Sequence, residues 1–227
     1  GVIHAKIGKL YLITNDFDKS LASLIEAATI QRKIEDQKNL AITYSIQGKL
    51  NSEKGDYLKA LEYLKSAKTI FEEKNLDDYT SEVTLNQGKI NLDLKNFQTA
   101  KSILEKTIFL AGKNNQKDIL AKALIYNSQA LLYLGNKDQS ISAVLKGLKV
   151  SKENNNTNDI SAAYHALSNI YKSANDYEKA HRYLELHTTI ADSLLSIRQE
   201  NLDTKQQDQS MKNYVSKEWD KLMDEKD

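Results

Sequence analysis

The chain has 227 residues, 40% of them hydrophobic and 28% charged, with 32 basic side chains against 31 acidic ones. That near-neutral balance argues against nucleic-acid binding as the main business of the chain, and the absence of cysteine removes disulfides, thiolate catalysis and cysteine-held metals. No apolar run approaches the ~20 residues of a membrane span and no basic-then-apolar leader opens the chain, so reducing and oxidising compartments both remain open.

In chain order, Gly1 stands just before an already helical pattern and reads as a scar on a piece cut from a longer protein. Residues 1–37 place Gly8 in a first helical pattern, break it at Asn15-Asp16, and continue with Phe17, Ser20, Leu24 and Ile30. Residues 38–77 return Gly48, the breaker Lys54-Gly55-Asp56, then Tyr57, Ala60, Leu64 and Ile70. The stretch 78–117 has Gly88, Lys95-Asn96, Phe97, Ala100, Leu104 and Leu110. The stretch 118–157 has Ser128, Gly135-Asn136, Lys137, Ser140, Val144 and Val150, and 158–197 has Ser168, Asn175-Asp176, Tyr177, Ala180, Leu184 and Ile190. The same chemical types return forty residues apart, which is the signature of a repeat array. Five units therefore cover residues 1–197.

Within a unit, Leu40, Ile42, Tyr44, Ile46 and Leu50 precede the breaker, and Leu61, Leu64, Ala67 and Ile70 follow it three or four apart. Gly and Asn tolerate the left-handed conformation that ends a helix, and Asp or Asn caps the next one. Between units lie Asn- and Asp-rich turns such as Lys74-Asn75-Leu76-Asp77-Asp78, Lys113-Asn114-Asn115-Gln116 and Asn154-Asn155-Asn156-Thr157. No strand pattern appears and proline is absent, so the fold class is all-α and each unit is a helical hairpin. Gly48 sits inside the first helix, where glycine costs about 1 kcal/mol relative to alanine. It is expected to let the second helix approach, with Ala60 and Ala67 making room from the other side. Gly48→Leu is expected to overpack the hairpin, at roughly 1–3 kcal/mol or more.

Residues 198–227 divide in two. From Arg198 to Ser210 only Leu202 is apolar, which reads as an exposed helix flank or a flexible link. Met211, Tyr214, Val215, Trp219, Leu222 and Met223 then return at helical spacing, a stripe that must be buried against something. A helix capping the open end of the array is one reading. A coupling or dimerising helix, giving a homodimer, is the other.

The run Gly48, Tyr57, Ala60, Leu64, Ala67, repeated as Gly88, Phe97, Ala100, Leu104, Thr107, resembles the tetratricopeptide repeat. The departures are His4, Tyr44, Thr84, Leu124 and Tyr164 at the family's tryptophan place, Gln47, Gln87 and Asn127 before the small residue, and the missing closing proline. The units are also longer than the usual ~34 residues, so both helices are expected to be extended. The resemblance implies a right-handed α-solenoid whose first helices line a concave, peptide-receiving groove. It places Lys9, Lys49, Lys89, Gln129 and Asn169 in one column of that groove, with Ser45, Asn86, Lys122 and Tyr126 beside it. Stacked lysines favour an acidic peptide or a C-terminal carboxylate; the alternative is an ordinary solvated helix face. Asn86 and Lys122 match part of the family's carboxylate clamp, while Ser45 and Tyr126 replace other members. A second resemblance joins Tyr183-Leu184-Glu185-Leu186-His187 and Ile190-Ala191-Asp192-Ser193-Leu194-Leu195 to the segment closing repeat arrays in Bacteroidetes sensor proteins. It implies an array followed by a membrane helix and a histidine-kinase or helix-turn-helix output domain, with the array in the bacterial cytoplasm or periplasm.

No phosphate-cradling glycine loop, HExxH or nucleophile elbow is present. His181 and His187 lie six apart, on different sides of a helix, and His4 and His165 fall on distant units, so packing or surface roles are expected and neither metal nor cofactor. The leading expectation is a non-catalytic, protein-binding or peptide-binding input region of a bacterial signalling protein, followed by a free-standing adaptor. A peptide-regulated response-regulator phosphatase ranks third, since no local motif supplies the group for in-line attack.

Overall fold

A computed structural model describes the backbone of residues 1–224 and the side chains of residues 1–200. Ten helices follow in order among the described residues: α1 (Val2–Ile13), α2 (Phe17–Lys33), α3 (Gln37–Glu53), α4 (Tyr57–Glu73), α5 (Asp77–Asp93), α6 (Phe97–Lys113), α7 (Lys117–Tyr133), α8 (Lys137–Glu153), α9 (Thr157–Ser173) and α10 (Tyr177–Asp224). No strand occurs among the described residues. Each helix packs on the next in chain order, and α1, α3, α5, α7 and α9 also lie beside one another, as in an α-solenoid. The extra length of the units goes into the helices: α2 through α9 are each 17 residues long.

The turns have one construction. Positive φ recurs at Asn15, Glu35, Gly55, Asn75, Lys95, Asn115, Gly135, Asn155 and Asn175, twenty residues apart, both within hairpins and between them. At each, the next residue's N–H reaches back to the last helical turn, as in Asp16 N to Tyr11 O at 2.9 Å and Asn96 N to Asn91 O at 2.8 Å. The left-handed residue bonds to the next carbonyl along, as in Asn15 N to Leu12 O at 3.1 Å, which makes each turn a Schellman motif. Asn and Gly suit that conformation, whereas Glu35 and Lys95 hold it against their own Cβ. Asp16, Asp36 and Asn156 then cap α2, α3 and α9 by accepting from the N–H of Lys19, Asn39 and Asp159. The Asp16 and Asp36 carboxyls are held below the usual carboxylate range, first by the side-chain hydrogen bonds from Lys19 and Asn39.

The small-residue column is a socket. A Cβ built on Gly48 would lie 2.6 Å from Leu64 Cγ, one on Gly8 2.7 Å from Leu24 Cγ, and one on Gly88 2.6 Å from Leu104 Cδ2. The atoms nearest a Cβ on Gly48 are those of Leu64, with the Ala60 carbonyl 3.2 Å away, and Ala60 and Ala67 are both fully buried. The fourth unit holds Ser128 in this column and the shorter Val144 in the leucine column, both fully buried. Hydroxyls of the facing column tie the helices of two hairpins together: Ser20 donates to Gly8 O at 2.8 Å and Ser140 to Ser128 O at 2.6 Å. In the last hairpin the roles reverse, and Ser168 donates to Ala180 O at 2.8 Å. Between hairpins, Leu64 and Phe71 of α4 share a core with Val83 and Ile90 of α5.

Helix α10 crosses residue 197 without a break and continues through the polar stretch after Arg198. A flexible link there is therefore overturned: the backbone hydrogen bonding of α10 carries on through it. The side chains of Met211, Tyr214, Val215, Trp219, Leu222 and Met223 lie outside the described residues.

Candidate concave binding surface

The first helices of successive hairpins bring part of the expected lysine column together. A groove of about 430 Å³ lies across α1, α3 and α5, and Lys9, Ser45, Lys49 and Asn86 line it. Its walls are apolar, with Leu12, Ile42, Ile46 and Phe71, and its rim carries Lys6, Lys9 and Lys49 against Glu82. A second groove of about 740 Å³ lies at the other end of the array, where Gln129 and Asn169 sit with Tyr133, Lys137 and His165. The nine expected groove residues are thus divided between two places, and Lys89, Lys122 and Tyr126 line neither.

The reason lies in the partners of the last two. Tyr126 packs against the core formed by Leu85, Ala100, Leu104, Ala123 and Ala130. Burial raises its phenol pKa first, and the nearby charges of Asp159, Asp93 and Glu53 raise it further. Lys122 stands close enough to Asp159 to oppose the upward shift of that carboxyl. Asp159 itself was not singled out by sequence reasoning. It is 6% exposed, its Oδ2 has no hydrogen-bond partner, and burial pushes its pKa up. A signal was there to read: the same column holds Asn39, Tyr79 and Ile119, so a carboxylate enters a place that other units fill with uncharged groups.

Two of the four histidines, expected to be scattered, meet in space. The rings of His165 on α9 and His187 on α10 are 4.9 Å apart between centroids, and His187 Nδ1 lies 2.9 Å from Ser161 Oγ. Spacing along one helix could not reveal a pair formed across two. Burial, then the neighbouring His187, lowers the His165 pKa. His4 pairs with Glu26 at 3.3 Å and His181 with Glu185 at 3.2 Å. Among the described residues no group of three or more His, Cys, Asp or Glu is placed to hold a metal ion. No helix among them is long and apolar enough to cross a membrane.

Family models described as tetratricopeptide repeat match residues 2–73 and 161–192, the first and last parts of this same array. Both segments are tetratricopeptide repeats. Such arrays are typically non-catalytic scaffolds that bind protein or peptide partners. Comparison with curated proteins finds no match. Among solved structures, the tetratricopeptide array is similar to BtubC (BKLC) from P. vanneervenii, with 20% identity, a TM-score of 0.69 and coverage of 82% of this chain and 78% of that one. It is also similar to a signal transduction ATPase with numerous domains that carries a tetratricopeptide repeat sensor, from Pyrococcus horikoshii. There the identity is 22% and the TM-score 0.72, over 86% of this chain and 30% of that one. A Rap protein complexed with Competence and Sporulation Factor is similar at 15% identity and a TM-score of 0.74, over 83% of this chain and 53% of that one. The chain thus spans about a third to a half of the length of the last two. At these identities the likeness establishes the fold.

Proposed function

We propose that this array is the ligand-binding input region of a bacterial signalling protein, taking a peptide or a segment of a partner protein on its concave face. The observation that carries this reading is the groove across α1, α3 and α5, where apolar walls meet a rim of three lysines and one acid. Such a surface suits an extended acidic segment, because its apolar side chains are desolvated while its charges meet lysines. The tetratricopeptide sensor of the P. horikoshii protein and the Rap protein bound to its factor support the class of role. Response is read out through α10, whose 48 residues join the last hairpin to the C-terminal stretch as one helix. Stacked hairpins contact only their neighbours, so small rotations add along the array and reach α10 as a larger displacement.

The test is a fluorescence-anisotropy titration with capped acidic-apolar and basic-apolar peptide pools at low and moderate salt. The expected result is saturable binding of the acidic pool that weakens with salt and is reduced in the Lys9→Glu/Lys49→Glu variant. Equal behaviour of both pools, or no binding by either, overturns the reading. A second reading, a free-standing adaptor, is favoured by the BtubC likeness, which extends over most of that protein's length. The mass of the endogenous protein, detected with an antibody, separates the two: a band well above 25.7 kDa supports an input region.

A further inference from the structure

The floor of the α1–α3–α5 groove contains a donor that nothing in the array uses. Gln31, on the second helix of the first hairpin, is fully buried and lines this groove. Its Oε1 accepts from the Thr43 hydroxyl at 2.7 Å, while its Nε2 has no hydrogen-bond partner. In the same column the later units hold Phe71 and Ala111, which have no polar side-chain atom, and Ser151, whose hydroxyl donates to Gly147 O at 2.9 Å. Gln31 alone brings an unanswered amide to this place, and a buried N–H without an acceptor carries a free-energy penalty that an incoming carbonyl relieves.

The groove's remaining chemistry identifies what brings that carbonyl. Ile42, Ile46 and Phe71 make an apolar wall suited to one large aliphatic or aromatic side chain, and Lys6, Lys9 and Lys49 outnumber Glu82 at the rim. We infer that Gln31 is a backbone-reading anchor: its Nε2–H donates to a main-chain carbonyl of a bound peptide whose large apolar residue fills the groove and whose flanking acidic side chains meet Lys9 and Lys49. This rests on the peptide-binding reading above. It adds a contact from a second helix, beneath the column of first-helix residues that sequence periodicity singles out. Gln31 holds one side-chain bond, to Thr43, which leaves Nε2 for an incoming carbonyl.

The experiment is a side-chain amide NMR titration of ¹⁵N-labelled protein with a capped hexapeptide, acetylated and amidated, carrying Leu-Phe between Asp and Glu residues. A control peptide replaces the acids with Lys. The expected result is a saturable shift of the Gln31 side-chain NH₂ signals, together with the backbone signals of Ile42 and Ile46, for the acidic peptide only. The double variant Gln31→Met/Thr43→Val removes both buried partners without stranding either and is expected to weaken binding about tenfold. Should that variant not fold, the wild-type Gln31 signals decide alone. Binding that shifts Gln129 and Asn169 but leaves Gln31 unmoved, or that the double variant retains in full, overturns the anchor and leaves the peptide-binding reading standing. No shift on the concave face with either peptide overturns both.

Discussion

Two helical glycines should respond in opposite directions to the same substitution. A Cβ on Gly112 in α6 would meet nothing within 4 Å, so Gly112→Ala should simply gain helix propensity, about 1 kcal/mol. A Cβ on Gly48 would lie 2.6 Å from Cγ and 2.8 Å from Cδ2 of Leu64, a side chain with no exposure, and 3.2 Å from the Ala60 carbonyl oxygen. To reach ordinary contact Leu64 must withdraw by roughly 0.8 Å inside a close-packed core, and the carbonyl cannot rotate away because it belongs to α4. Overpacking of this kind costs about 1–3 kcal/mol, which outweighs the propensity gain, so Gly48→Ala should destabilise by about 0.5–2 kcal/mol and Gly48→Leu by more. The fourth unit combines Ser128 in the glycine column with the shorter Val144 in the leucine column. Adding Leu64→Val to Gly48→Ala should therefore recover part of the loss, a coupling visible in a double-mutant cycle. The assay is the urea midpoint of the helical circular-dichroism signal at unchanged slope. If Gly48→Ala and Gly112→Ala move the midpoint in the same direction by similar amounts, the socket account is wrong.

Two further outcomes follow from the turns and the buried acid. Lys95→Gly removes a Cβ from a left-handed residue with φ of 61° and should stabilise by about 0.5–1 kcal/mol, read as a raised urea midpoint; a lowered one would show that the lysine side chain contributes more than its backbone conformation costs. Asp159 has its folded-state pKa raised by burial, so its contribution to stability is greatest below its unfolded pKa and is lost as pH rises through the folded value. Asp159→Asn should accordingly raise Tm at pH 7, with the gain shrinking toward pH 4; a gain that is independent of pH would assign the effect to packing.

A forty-residue period and a breaker in every unit were enough to determine an all-α array of hairpins, because stacked units need the same small, aromatic and aliphatic residues at the same places. Local chemistry also determined the turns: Asn15, Gly55, Asn75, Asn115, Gly135, Asn155 and Asn175 all take the left-handed conformation that their residue types favour. What faces what was settled only by packing. The repeat resemblance implied nine residues on the concave side, yet Lys9, Ser45, Lys49 and Asn86 line one groove, Gln129 and Asn169 another, and Tyr126 packs against a core. His165 and His187, and Gln31 and Thr43, meet across helices that the one-dimensional pattern treats separately. A repeat encodes which side of its own helix a residue occupies; the atom opposite it belongs to the next helix, and only the stacked structure brings the two together.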